Sequence, residues 1–88
     1  MKKIIEDNYN SIKEIRGLIT PYTTENDFLD KIREELSELE EAVLFDLPNK
    51  NYEIADIILT CMNYAKHQGI DIEKVLWEKV EYNKKRTD

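Results

Sequence analysis

The sequence predicts an all-α fold, a four-helix bundle that oligomerises through its helices, and three observations carry that expectation. Only two glycines and two prolines occur in 88 residues, and Gly17, Pro21, Pro48 and Gly69 fall between four long stretches of helix-forming residues. Apolar residues recur within those stretches at intervals of three and four. No hairpin signal, internal repeat or low-complexity segment interrupts them.

The first helix is expected over residues 2–18, where Ile5, Ile12 and Ile19 stand seven apart with Ile15 beside them, and Gly17 to Pro21 ends it. Thr24, with Asp27 three residues on, reads as a capping box that opens a second helix over residues 25–46, closed off by Pro48. Its expected core face is Leu29, Ile32, Leu36, Leu39 and Val43. Asn49 or Asn51 caps a third helix reaching residue 68, where Gly69 supplies a left-handed C-terminal residue. That helix is apolar around most of its circumference, through Ile54, Ile57, Ile58, Leu59, Met62 and Ala65, and is expected to be the most buried. Asp71 caps the fourth, running to residue 85 with Ile72, Val75 and Leu76 turned inward.

Length and composition restrict what such a chain can be. With 41% apolar and 36% charged residues it suits a single domain over residues 1–88, too short for two cores and too apolar to stay disordered. Chains this small bury a limited share of their surface, so an extended apolar helix face is better covered by a second copy than left in water. The net charge of -6 argues against a general affinity for nucleic-acid backbones. A lone Cys61 forms no internal disulfide and no zinc cluster, which suits a reducing, cytoplasmic setting. Glu6, Asp7 and Asn8 interrupt any leader-like apolar region, and no run approaches a membrane span, so a soluble, unprocessed protein is expected.

The acidic residues carry the chemistry. At 100° per residue Glu35 lies roughly 70° from the centre of the second helix's stripe, Glu38 about 60° farther round one turn on, and Glu34 beyond it. On the third helix Glu53 and Asp56 lead a polar sector about 80° wide that continues through Thr60, Asn63 and His67. Two acids on each of two adjacent helices repel one another, and they need a watery groove or a compensating cation. Mg²⁺, for which Mn²⁺ can substitute, takes oxygen ligands and keeps room for water or phosphate oxygens. The competing reading is a solvated face, since 19 acids produce such pairs by chance; Glu53 and Asp56 resist it because they interrupt an apolar helix.

On the fourth helix the inward face continues as Lys79, Asn83 and Arg86, groups that suit phosphate and sugar, or else a solvated helix end whose cations suit the dipole. His67 reads as a partly exposed helix residue and Cys61 as a small buried one, without a histidine or cation to activate it. Trp77 and Tyr82 read as packing residues before base-stacking ones. No Walker A or GxGxxG loop is present, so phosphate binding would rest on metal and side chains.

Glu34-Glu35-Leu36-Ser37-Glu38 followed by Glu53-Ile54-Ala55-Asp56 resembles the EExxE and ExxD signature of the MazG-like, all-α nucleotide pyrophosphohydrolases. The likeness runs on through Gly69-Ile70-Asp71-Ile72 to a KxxxNxxR ending at Lys79, Asn83 and Arg86, covering residues 31–86. It implies a MazG-like bundle with Glu35, Glu38, Glu53 and Asp56 as Mg²⁺ ligands and Glu34 or Glu38 handling the proton of the attacking water. Lys79, Asn83 and Arg86 are implied as phosphate and sugar contacts. The implied reaction is hydrolysis of a (d)NTP at the α-phosphorus to the monophosphate and pyrophosphate. A homodimer or homotetramer is implied too, with the site sometimes completed by a neighbouring subunit. The first helix matches no family pattern residue by residue, which leaves base recognition open.

Two alternatives stand beside this reading. A phosphoribosyl-ATP pyrophosphatase also releases pyrophosphate from clustered acids, and the KxxxNxxR ending weighs against it. A non-catalytic helical dimerisation module would carry the acids only as a solvated face.

Overall fold

The computed structural model describes residues 1–87, and all regular structure among them is helical. Helix α1 spans Lys2–Asn10 and continues as a π-helical turn over Ser11–Ile15; α2 spans Glu25–Leu44, α3 Lys50–His67 and α4 Ile72–Lys85. The fold class is as expected, and none of the four helices is long and apolar enough to cross a membrane.

The helix boundaries follow local chemistry. Thr24 and Asp27 form the full capping box, each side chain accepting from the other's backbone N–H. Asp71 caps α4 by accepting from Lys74 N. α3 starts at Asn49, whose side chain reaches Glu53 instead of the backbone. Two helices close in Schellman motifs. Ile70 N donates to Ala65 O past Gly69 at φ 73°, and Leu47 N donates to Ala42 O past Asp46 at φ 50°. The second motif ends α2 at Leu44, two residues before the expected stop, because a short aspartate tolerates the left-handed conformation.

Helix α2 packs mainly on α3, α1 also packs on α3, and α4 meets α3 only slightly. Several facing expectations are corrected here. The buried line of α2 is Phe28, Glu35 and Ala42, with Ile32 and Leu39 half-buried between them. Leu29, Leu36 and Val43, expected in the core, lie one residue round and are exposed. The α2 face that meets α3 thus has a glutamate at its centre, which hydropathy periodicity assigns to the flank. α3 is inverted likewise. Its polar sector is turned into the protein, with Thr60 and Asn63 buried, whereas Ile54, Ile58 and Cys61 are exposed. Cys61 is therefore not the buried residue expected, and the inward face of α3 mixes Thr60 and Asn63 with Ala65.

Ile15 is 82% exposed and does not join Ile5 and Ile19, which are buried, because the wider π turn takes up an extra residue and shifts the register. Val75, Leu76, Trp77, Val80 and Tyr82 on α4 are exposed as well, so of the expected inward face only Ile72 is half-buried. The Cα radius of gyration, 14.8 Å, exceeds the value of about 12 Å for a compact chain of this length.

Candidate functional site

The inward polar faces of α2 and α3 meet and bring their acids together. One carboxylate oxygen each from Glu35, Glu38 and Glu53 lies within 4.8 Å of the others. These are the i and i+3 acids of α2 and the first acid of α3, so the pairing of two helix faces read from spacing is realised in space. Glu35 is only 7% exposed. Its Oε1 faces Lys31 Nζ at 3.1 Å, one turn earlier on the same helix, and its Oε2 is buried with no hydrogen-bond partner among the described residues. Glu53 repeats the pattern, since Asn49 Nδ2 donates to Oε1 at 2.9 Å while Oε2 is buried and unpartnered.

An unpaired buried carboxylate oxygen costs several times what a hydrogen bond contributes, and a solvated acidic face would have none. Two such oxygens beside a third carboxylate fit a hard divalent cation with oxygen ligands. Asp56 is not part of this trio. It lines, with Glu35, the adjoining cavity between α1, α2 and α3. Glu34 lies outside the cluster on the solvent side and pairs with Lys31 at 3.4 Å.

The electrostatics agree with the crowding. The neighbouring Glu35 charge foremost, then partial desolvation and the more weakly coupled Glu53, raise the Glu38 pKa above the ordinary 4.5. Burial works against the charge of Lys31, but Glu35 and Glu34 outweigh it and raise its pKa. A raised carboxylate pKa means the folded, metal-free protein holds the Glu38 proton more tightly than the unfolded chain. The resulting stabilisation is present below the ordinary glutamate value and is lost as pH rises through the raised one. Melting of metal-free wild type and Glu38→Gln from pH 4 to 8 checks this: the wild type should lose ground to the variant as pH rises. A constant gap would mean that Glu38 is not coupled to its neighbours.

Lys79, Asn83 and Arg86 are not brought to the acids. They gather around Tyr82, with Lys79 Nζ 4.6 Å and Arg86 Cζ 5.9 Å from its ring centroid, and Arg86 donates to Asn83 Oδ1 at 3.5 Å. The cavity beside the acids is lined instead from α1 to α3, by Asn8, Arg16 and Lys31 among others. Lys31 is legible in the sequence as the i−4 partner of Glu35. Asn8 and Arg16 carry no local signal, because their relation to α3 spans the chain. His67 is half-buried on α3, with one ring nitrogen meeting Tyr9 Oη at 3.0 Å and the other Thr23 O at 3.1 Å.

The facing helices of this all-helical chain thus hold a carboxylate trio whose donor set suits a divalent cation. The family model described as phosphoribosyl-ATP pyrophosphohydrolase matches residues 5–83, and the chain belongs to that family. It is thereby placed among the all-α pyrophosphohydrolases, hydrolases of phosphoric anhydrides. No curated protein and no solved structure matches significantly. The matched description is that of the alternative the KxxxNxxR ending weighed against, so that ending does not separate the two readings.

Proposed function

We propose that the chain is a Mg²⁺-dependent, MazG-like nucleotide pyrophosphohydrolase that cleaves a nucleoside triphosphate between the α- and β-phosphates. The observation that carries this is the pair of buried, unpartnered oxygens of Glu35 and Glu53 beside Glu38. Glu35, Glu38 and Glu53 would hold the cation, and Asp56 lines the adjoining cavity that Glu35 shares. The bound cation supplies neutralisation of the triphosphate charge and acidifies the attacking water. Water's oxygen forms a bond to the α-phosphorus, the bridging oxygen leaves with pyrophosphate, and the proton passes to a carboxylate of this chain. Glu38 suits that role better than Glu34, because it stands in the cluster, whereas Glu34 is engaged by Lys31.

Lys79, Asn83 and Arg86 serve as phosphate and sugar contacts from a second copy, in a homodimer or homotetramer. Three observations support such an assembly: the exposed apolar face of α3, the exposed Leu29, Leu36 and Val43 of α2, and an α4 with little of its own chain to pack on. A second reading, favoured by the family match, makes phosphoribosyl-ATP the substrate; the bond cleaved and the pyrophosphate released are the same.

Pyrophosphate release from the eight common NTPs and dNTPs and from phosphoribosyl-ATP, with Mg²⁺ or Mn²⁺ and with EDTA, tests both. Metal-dependent pyrophosphate with an accumulating monophosphate is the expected result, and the preferred substrate decides between the two readings. Silence throughout, with no thermal response to metal, would leave a helical dimerisation module.

A further inference from the structure

Glu53, Asp56, Thr60 and Asn63 follow one another along one face of α3 at spacings of three, four and three. At 1.5 Å per residue, Asn63 lies about 10 Å beyond Asp56 along the helix, a span that a ribose and a base fill. Asn63 is 7% exposed, and Asn8 Nδ2 of α1 donates to its Oδ1 at 2.8 Å. Both asparagines line the cavity that Glu35 and Asp56 also line. Its volume, about 540 Å³, falls within the roughly 300–1,000 Å³ of small-molecule sites.

Each side-chain amide has two donor hydrogens and an oxygen with two lone pairs. The Asn8–Asn63 bond uses one hydrogen of the first and one lone pair of the second. Asn8 Oδ1 and Asn63 Nδ2 make no hydrogen bond with the described residues and remain beside the cavity as one acceptor and one donor. Arg16 lines the same cavity directly after the π turn, and its guanidinium forms no ion pair or hydrogen bond among the described residues. The cavity thus has Glu35 of the carboxylate trio on its wall, a guanidinium for an anion, and an amide pair with a spare donor and acceptor.

Resting on the proposal that the substrate is a nucleotide, we infer that this cavity takes its nucleoside and that the Asn8–Asn63 pair reads the base. The free acceptor of Asn8 and the free donor of Asn63 meet adjacent donor and acceptor groups on the base edge, so the pair is a specificity determinant. Asn63→Asp replaces the free donor with an acceptor at nearly unchanged volume, which inverts half of what the base must offer.

Pyrophosphate release from the eight NTPs and dNTPs is compared between wild type, Asn63→Asp and Asn8→Asp, alongside calorimetric binding of the α,β-methylene analogues with Mg²⁺. The expected result is a change of about tenfold or more in the ratio of kcat/KM between the best base and its competitors, with a parallel reordering of analogue affinities. An equal loss on every base, or an unchanged order, overturns the assignment. In the wild-type protein the side-chain amide resonances of Asn8 and Asn63 should move when an analogue binds; their failure to move overturns it independently of how the variants fold. Base-selective analogue binding that Asn63→Asp reorders, without pyrophosphate release, would uphold the pocket and sink the hydrolase proposal. Pyrophosphate release with an unmoved base order would do the reverse, and wild-type binding without base preference overturns the assignment outright.

Discussion

Glu38→Gln should abolish metal-dependent pyrophosphate release, by about 10²-fold or more in kcat/KM, while the helices remain intact. Glu38 supplies one of the three carboxylate oxygens that lie within 4.8 Å of one another, and under the proposed mechanism it also receives the proton of the attacking water. A neutral amide of the same shape removes both capacities, and several kcal/mol of charge stabilisation at the reacting phosphorus corresponds to a factor of that size. The fold should not suffer, because Glu38 is exposed and its pKa is raised mainly by the Glu35 charge beside it. Circular dichroism with the pyrophosphate assay separates the two effects. Full activity would remove Glu38 from the site, and lost helicity would make it a structural residue.

Adding Mg²⁺ or Mn²⁺ should raise the melting temperature well beyond the effect of NaCl at equal ionic strength. A ligand bound only by the folded state at about 100 times its Kd stabilises by about 2.7 kcal/mol, which for a chain of this size is a shift on the order of 10 °C. The oxygens that make this expectation specific are Oε2 of Glu35 and Oε2 of Glu53, each buried without a partner. Glu53→Gln should therefore lose most of the response, whereas Glu34→Gln, at a residue outside the trio, should keep it. Equal responses to magnesium and sodium, or an undiminished response in Glu53→Gln, would mean that the cluster binds no cation with these oxygens.

Both expectations were partly legible in the sequence. The i and i+3 spacing on two helices pointed to Glu35, Glu38, Glu53 and Asp56, and three of the four converge. Asp56 takes a place on the neighbouring cavity instead. What hydropathy could not reveal was how deep the acids lie. A periodicity argument assigns a glutamate to the flank and a leucine to the core, so it placed Leu36 inside and Glu35 outside, and the protein does the opposite. The likeness of Lys79, Asn83 and Arg86 to a family ending is likewise a statement about sequence order. α4 keeps them around Tyr82, away from the acids of its own chain.

By itself, the sequence determined the number and approximate limits of the helices, because capping boxes, left-handed turn residues and helix propensity act over a few neighbours. Thr24 with Asp27, Asp71 and Gly69 each do locally what their residue types allow. The tertiary structure alone decided which face of each helix turns inward and which distant groups meet. Glu35 with Glu53, and Asn8 with Asn63, are pairs formed by packing two helices together, and no local signal encodes them. The physical reason is that periodicity measures how much a face repels water. A site built to hold a charged ligand turns a polar face inward, and only the packing of the whole chain shows where that inversion lies.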